Sequence, residues 1–579
     1  MKLSDALVCA LRQLGVRYVF GVSGANIEHL HDAIHRLGGT ELKSVLAKCE
    51  SGAAFMADAY ARVHRELGVC CATSGGGMTN LLTGVAESYA ESVPVLALVG
   101  QPPMSLWDKG AFQDSSGLHR TVKGEQLWQS VSKYVGVVKS ASEFWPFLST
   151  AILACLSGRP GPSVILLPRD IYDQDVSDLT PNWGPDLLRS ISSLQPILED
   201  IERLKNALQN AKAPVLVIGH GVRRSPSGSA VIQFATTTGI PVASTLSARG
   251  EYPNDADNYL GCIGVAGHPS VHRYINDKAD LIVVVGSGLN IMTKGPLGEA
   301  LNKKQVVFVN IDTAALHQNY PDKIAISGDD GEVFSALLAE IKTDPLHFDK
   351  LNSYALEIFK PTLITPPVKD NEESSLLQSE AIFLLNEILP ENGHLVYDAG
   401  DCAAAAMHFS LVPRGTSSTI ALGMGGMGYA IGGAIGAQIG SPAGTRTVAF
   451  VGDGAFLMSG LEIHTAVDLG LPILYVVFNN NMHGMCLARQ RLFFEGRIEA
   501  STYSPFSVAQ VARGLGPENK LWVSQASSAS ELKSRLEEYK QNLDKPGVLE
   551  LRISQEELPP FTPFLATDAP TTTLLRRSN

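Results

Sequence analysis

Eleven short apolar runs recur along the chain: RYVFGV, VCCATS, VPVLALVG, PSVILLP, APVLVIG, ADLIVVVG, QVVFVNI, HLVYDAG, TRTVAFVGDG, LPILYVVFNNN and PGVLELRI. Helical patterns fill the intervals. This rhythm restricts the fold to parallel sheets with crossover helices, the doubly wound α/β class. At 579 residues the chain is too long for one core, and with ~100 to 200 residues per domain three such domains are expected. Two Pro-containing stretches read as linkers: DLTPNWGPDLL around 178–188, and KPTLITPPVKDNEESS at 360–375. The expected domains are therefore 1–180, 188–360 and 375–560, followed by a mobile tail at 561–579 that carries no visible chemistry.

Composition removes several function classes. Hydrophobic residues make up 45% and charged residues 18%, which describes a globular protein with a large core. The net charge of -12 argues against nucleic acid, whose phosphates call for a basic face. Eight scattered cysteines without a C-x-x-C pair argue for reduced thiols rather than a zinc site or disulfide framework. The opening residues lack the order of a signal peptide, and the apolar stretches break well before ~20 residues. A soluble cytoplasmic protein with no membrane partner is expected.

The stretch VGDGAFLM holds a charged residue, Asp453, between two glycines at a strand end. Such glycines let backbone amides approach phosphate, which a carboxylate would repel. A hard divalent cation between the two removes the conflict, since Mg²⁺ is held by one or two carboxylates plus phosphate oxygens. The 24 residues from Ala455 to Phe478 accommodate one helix and one strand before Asn479-Asn480-Asn481. Asp453 and the asparagines should therefore end neighbouring parallel strands on one sheet edge, where ligands bind. An Asn amide oxygen and a backbone carbonyl would join Asp453 around the cation, and the amides of Gly454 and Ala455 would meet the phosphates.

G-D-G, about two dozen residues, then N-N resembles the diphosphate-binding motif of thiamine diphosphate enzymes, and the likeness spans roughly residues 3–555. LAKCESGAAFMADAYAR (46–62) is similar to the acetohydroxyacid synthase segment whose glutamate activates the cofactor, which gives Glu50 that role. There a carboxylate on N1′ of the aminopyrimidine favours the imino tautomer, whose nitrogen can take the thiazolium C2 proton. CATSGGGMTNLLTGVAESYAESVPVLALVGQ (71–101) resembles the first domain, its turn with Gly75, Gly76 and nearby Asn80 lying beside the pyrimidine. KGAFQDSS (109–116) is similar to the FQE loop and places Phe112 and Gln113 towards substrate. ALGMGGMGYAIGGAIGAQIG (421–440) resembles the segment whose methionine props the cofactor into a bent shape, giving Gly425 and Met427. In NNNMHGMCLARQRLFFEGR, the register makes Asn480 the side-chain metal ligand and Met482 the carbonyl ligand; His483, Gly484 and Met485 fall near the reaction centre. Gly400, Asp401, Gly452 and Gly454 complete the implied cofactor contacts. GRPGPSVILLPRDI and TTTGIPVASTLSARGEYP match the end of the first domain and the middle domain.

Three departures from the synthases stand out. The flavin-contacting stretch GxRFDDR reads GSGLNIMT at 286–293, closer to benzaldehyde lyase, so a middle domain without FAD is expected. After Gly400 the sequence DCAAAAMHF replaces GQHQMW, leaving backbone amides, Asp401 or Cys402 to serve the diphosphate. Arg489 stands where the synthases carry a selectivity tryptophan, and could grip a carboxylate or phosphate in bidentate fashion. Ser23 and Asn26 occupy a region that carries active-site histidines in benzaldehyde lyase, and no HH pair follows Gly100.

The resemblance implies two thiamine-binding domains flanking a central Rossmann-like domain. It further implies thiamine diphosphate and Mg²⁺ as cofactors, and a carboligase of the acetolactate synthase type. Such an enzyme decarboxylates a 2-oxo acid or cleaves an acyloin, then transfers the acyl unit to an aldehyde or 2-oxo acid. Gln113, His483 and Asn26 are the expected proton handlers. In relatives the Glu-bearing domain of one chain faces the phosphate-binding domain of another, implying a homodimer or homotetramer. The alternatives are a simple decarboxylase or acyloin lyase releasing an aldehyde, and a non-catalytic paralogue.

Overall fold

The computed structural model describes residues 1–176, 183, 194–342, 345, 346, 348, 356–363 and 376–565, and the backbone of 571–573. The strand and helix rhythm becomes three six-stranded parallel sheets. The first contains β1 (Tyr18–Gly21), β2 (Lys43–Leu46), β3 (Gly68–Ala72), β4 (Val95–Gln101), β5 (Tyr134–Val137) and β6 (Ser163–Pro168), in the order β2-β1-β3-β4-β6-β5. The second contains β7 (Pro214–Ile218), β8 (Val242–Ser244), β9 (Tyr259–Cys262), β10 (Leu281–Val285), β11 (Gln305–Asn310) and β12 (Ile324–Ser327), in the order β12-β11-β10-β7-β8-β9. Two short strands follow, β13 (Glu357–Phe359) and β14 (Thr362–Leu363). The third sheet contains β15 (His394–Tyr397), β16 (Ser417–Ile420), β17 (Thr447–Gly452), β18 (Ile473–Asn479), β19 (Trp522–Ala526) and β20 (Gly547–Arg552), in the order β16-β15-β17-β18-β20-β19. β14 pairs antiparallel with β21 (Glu557–Leu558), and β13 with β22 (Thr571–Thr573).

The strand order reverses between β1 and β3, between β7 and β10, and between β15 and β17. Each reversal opens a crevice at the carboxyl ends of its strands. Among the described residues no helix is long and apolar enough to cross a membrane. The expected linkers at 178–188 and 360–375 lie outside the described residues, apart from Trp183 and residues 360–363.

Two compact units emerge. The first holds Met1–Ser192 with Ala421–Pro442 and Ser459–Leu469; the second holds Ser193–Ile420, Ala443–Met458 and Gly470–Asn579. Two segments of the expected 375–560 domain thus belong to the first unit. The cause is a glycine stripe on the helix Tyr429–Gly440, which lies along the helix Glu50–His64. A Cβ at Gly432 would come within 2.9 Å of the Gly52 carbonyl, one at Gly440 within 3.3 Å of Tyr60, and one at Gly436 would collide with the Met56 carbonyl. The three repeat every fourth residue on both helices, so the backbones approach closely along one face. Gly436→Val is expected to cost ~3 kcal/mol by overpacking, read as a lower denaturation midpoint.

In the second unit Arg249 is 2% exposed, and its guanidinium donates to the carbonyls of Met407 and Ser410 at the end of the helix Gly400–Phe409. Beside it His268 and His408 stack with centroids 5.1 Å apart. His268 Nδ1 accepts from Cys262 N at 2.9 Å and its Nε2 donates to the His408 carbonyl at 3.0 Å. His408 Nε2 accepts from Phe359 N at 2.8 Å while Nδ1 donates to the Gly267 carbonyl at 3.1 Å. One donor and one acceptor per ring is the pattern of neutral imidazole. Phe564 packs with Ala488 and Leu558, with Met485 and Phe561 against them. The expected mobile tail at 561–579 therefore starts as part of the C-terminal core, because its aromatic residues bury apolar surface.

Candidate active site

In the first unit, β3 leads through Thr73 and Ser74 to Gly75, whose φ of +65° turns the chain into the helix Gly76–Ala90. Asn80 on that helix donates Nδ2 to Glu50 Oε2 at 3.0 Å, and a Cβ on Gly77 would lie 3.1 Å from Glu50 Oε1. Glu50 opens its own helix, where the helix dipole favours a carboxylate. One of its oxygens is thus committed to Asn80 and the other lies beside the glycine turn. Gln113, at φ +62°, sits over Gly75, where a Cβ would come within 2.9 Å of the Gln113 Cβ. Thr73 Oγ1 donates to Gln113 Oε1 at 3.5 Å, and Asn26, 6% exposed, donates Nδ2 to Ser74 Oγ at 2.7 Å. The β1/β3 switch point therefore gathers Glu50, Gly75, Gly76, Asn80, Gln113 and Asn26. The donor of Asn26 is spent on Ser74, and Phe112 is 85% exposed.

Met427 is held by residues that the sequence did not single out. Glu87 accepts from the backbone N–H of Gly423 at 3.0 Å and of Met424 at 2.8 Å. Buried beneath, Asp58 accepts from Arg62 Nε at 2.6 Å, Tyr429 OH at 2.7 Å and Ser88 Oγ at 2.8 Å. Gly425 and Gly428 take φ of +65° and +88°, and a Cβ on Gly426 would lie 3.2 Å from the Phe55 ring. The Met427 loop is thereby seated on the helix of Glu50. Glu462 also escaped notice: its carboxylate accepts from the N–H groups of Lys48 and Cys49, satisfying backbone donors at that helix N-terminus.

In the second unit, Gly452 pairs with Phe478, so Asp453 and Asn479 leave the sheet side by side. Asp453 is 3% exposed; its Oδ2 accepts from Asn480 N at 3.1 Å and Asn481 N at 2.6 Å. Its Oδ1 accepts from Gly454 N at 2.8 Å, so that amide, expected to face a phosphate, is turned to Asp453. Burial pushes the Asp453 carboxyl up to about 6, against the pull of the nearby Tyr503 hydroxyl and these amides. Asn479 gives its Nδ2 to the fully buried Glu550 at 2.7 Å, and Asn481 Oδ1 accepts from Phe506 N at 3.4 Å. Only Asn480 keeps a side-chain oxygen free of these supports. Met482, 3% exposed, forms a bridge with Thr502, and Ala455 is buried.

Asp401 enters from the helix that follows β15, so Asp401 and Asp453 flank the β15/β17 switch point. Gly400, at φ +84°, makes the turn, and Ala403 to Ala406 pack that helix onto β17. Burial raises the Asp401 carboxyl as well. Among the described residues no lysine or arginine pairs with either carboxylate, and no three His, Cys, Asp or Glu gather as a metal cluster. Two buried carboxylates, an amide oxygen and a nearby main-chain carbonyl fit a hard divalent cation that takes its remaining ligands from phosphate and water.

His483 ends the loop, its N–H donating to the Ser501 carbonyl at 2.8 Å and its ring meeting Tyr503 edge-on at 5.6 Å. The helix Gly484–Phe493 follows, and a Cβ on Gly484 would collide with the Asp401 carboxylate. Met485 is half-buried; Arg489 is exposed, its guanidinium donating to Cys486 Sγ at 3.4 Å. Tyr503 and Gln555, whose Nε2 donates to the Asn480 carbonyl at 2.6 Å, lie outside any motif, and only the folded chain reveals them.

Comparison with known proteins adds three family matches, all to thiamine pyrophosphate enzyme domains. The N-terminal TPP binding domain matches residues 1–119, the central domain residues 201–337, and the C-terminal TPP binding domain residues 398–551. The chain is 30% identical to acetolactate synthase 1, chloroplastic, of Nicotiana tabacum, over 88% of this chain and 75% of that one. It is 28% identical to the acetolactate synthase large subunit of Corynebacterium glutamicum, over 96% of this chain and 87% of the relative. A probable acetolactate synthase large subunit of Methanocaldococcus jannaschii is also 28% identical, over 97% and 94%.

Proposed function

The chain belongs to the thiamine pyrophosphate enzymes, and from that premise we propose that it is a thiamine diphosphate- and Mg²⁺-dependent carboligase of the acetolactate synthase type. Its donor is a 2-oxo acid or an acyloin, its acceptor an aldehyde or 2-oxo acid, and its product a 2-hydroxy ketone. The observation that carries the reading is the pair of buried carboxylates at the β15/β17 switch point, which lack a side-chain cation.

When bound, the coenzyme supplies the electron sink that loss of CO₂ requires. Glu50 holds the proton at pyrimidine N1′ through Oε1, since Oε2 is occupied by Asn80. Met427 is the apolar wedge against the cofactor, and Gly76, where a Cβ would meet nothing, leaves the turn open beside the ring. Asp453, Asn480 Oδ1 and the Met482 carbonyl hold Mg²⁺. Gln113 offers its amide to a substrate oxygen, and His483 moves protons at its imidazole.

The middle domain functions without FAD on this reading, because its crevice is filled by its own chain. Gly219 N donates to the Val285 carbonyl at 2.7 Å and Gly221 N to the Gly286 carbonyl at 3.0 Å, which spends the amides a dinucleotide phosphate needs. We place the enzyme in the cytoplasm as a homodimer or homotetramer with active sites at subunit interfaces.

Mass spectrometry of products from a panel of 2-oxo acids, with and without added aldehyde, tests the reading. Ligated 2-hydroxy ketones support it, whereas aldehyde alone in every pairing replaces it with a decarboxylase or lyase. Arg489→Trp is expected to shift the preference between anionic and neutral acceptors by ~10-fold or more, the worth of one charge-assisted pair. An unchanged acceptor profile would leave Arg489 as a surface residue.

A further inference from the structure

We propose that Asp401 is a positioning residue that decides which end of the Asn480 amide faces the cation. The inference rests on the thiamine reading and deepens it.

Asn480 has four polar groups, and the fold claims three. Its backbone N–H donates to Asp453 Oδ2 at 3.1 Å, its carbonyl accepts from Gln555 Nε2 at 2.6 Å, and its Nδ2 donates to Asp401 Oδ2 at 3.4 Å. Oδ1 is left over. A side-chain amide can present either end, and only its surroundings choose. Asp453 and Gln555 fix the main chain and leave that choice open. With the amide reversed, Oδ1 would face the Asp401 carboxylate, oxygen against oxygen, and Nδ2 would point at the cation. The bond is long for its type, but the dipole preference against a carboxylate does not depend on an ideal length.

Asp401 is itself held in place. Its Oδ1 accepts from Cys402 N at 3.0 Å, and its carboxylate lies against Gly484, where no other residue leaves room. The aspartate and the glycine belong together: Gly484 opens the space through which Asp401 reaches the metal loop. Asp401 therefore acts beside the cation rather than on a phosphate, and outer groups that orient a ligand typically change metal affinity ~10–100-fold.

Mg²⁺ titrations of full-length wild type, Asp401→Ala and Asp401→Asn, at saturating thiamine diphosphate and read by thermal shift, test this. Mn²⁺ is titrated in parallel by electron paramagnetic resonance without coenzyme. Asp401→Ala should need ~10–100-fold more cation, while its unfolding temperature without cation stays at or above that of wild type. Asp401→Asn, which keeps an acceptor for Nδ2, should recover part of the loss. Equal cation requirements in wild type and Asp401→Ala would overturn the proposal. So would an Asn variant as impaired as the Ala variant, which would make Asp401 a direct ligand. If wild type itself takes up neither cation nor coenzyme, the thiamine reading fails first, and the result is distinguishable because no variant is needed to see it.

Discussion

Glu50→Gln should lower turnover by ~10²–10⁴-fold, the usual worth of a positioned acid–base group, while coenzyme affinity measured by calorimetry changes little. The replacement is nearly isosteric. Its amide oxygen can still accept from Asn80 Nδ2, the bond that Glu50 Oε2 makes at 3.0 Å. The end turned towards the pyrimidine then becomes an NH₂ group, which can donate a hydrogen bond to N1′ but cannot release a proton to it. The diphosphate contacts lie on Asp453 and Asn480 and are untouched, so binding and chemistry separate. Retained turnover in purified Glu50→Gln would remove Glu50 from the proton path and reopen the possibility of a non-catalytic paralogue.

Acid should unfold the second unit well before its carboxylates are protonated. Burial depresses the pKa of His272 to about 4 and of His408 to about 3, and holds His268 low as well. In the unfolded chain each titrates near ~6.5. Above that pH neither state binds the proton and no penalty arises. As pH falls below ~6.5 the unfolded state takes up protons that the folded state refuses, so stability is lost progressively down to the folded pKa. At ~1.4 kcal/mol per pH unit, His272 alone accounts for roughly 3 kcal/mol by pH 4. The consequence reaches the active site, since His408 anchors the far end of the helix that begins at Gly400 and Asp401. Denaturant midpoints between pH 7 and 4 would show the decline. His272→Gln, which keeps an acceptor for Gly264 N, should flatten it, and a parallel slope in that variant would assign the acid lability to other groups.

The site divides cleanly into legible and hidden parts. Glu50, Asp453, Asn480 and Met427 sit in contiguous stretches of glycine, acid and amide, and such stretches can be read because local backbone requirements leave local marks. The groups that hold them leave none. Glu87 reaches the Met427 loop across more than three hundred positions, and Gln555 reaches Asn480 from the far end of the C-terminal domain. Each is an ordinary polar residue until the fold closes. The domain boundaries show the same limit: residues 421–442 read as part of the last domain, yet their glycine stripe packs on the helix of Glu50.

By itself the sequence determined the three parallel sheets, the strand ends at which chemistry gathers, and the residue types that suit a cation and a diphosphate. Those properties follow from periodicity and spacing along one strand or helix. Only the tertiary structure decided which of three consecutive asparagines is open to a ligand. Buried Glu550 claims the first and the Phe506 amide the third, while Asp453, Gln555 and Asp401 leave the second with one free oxygen. The three are chemically identical in the chain, and partners distant in sequence make them different.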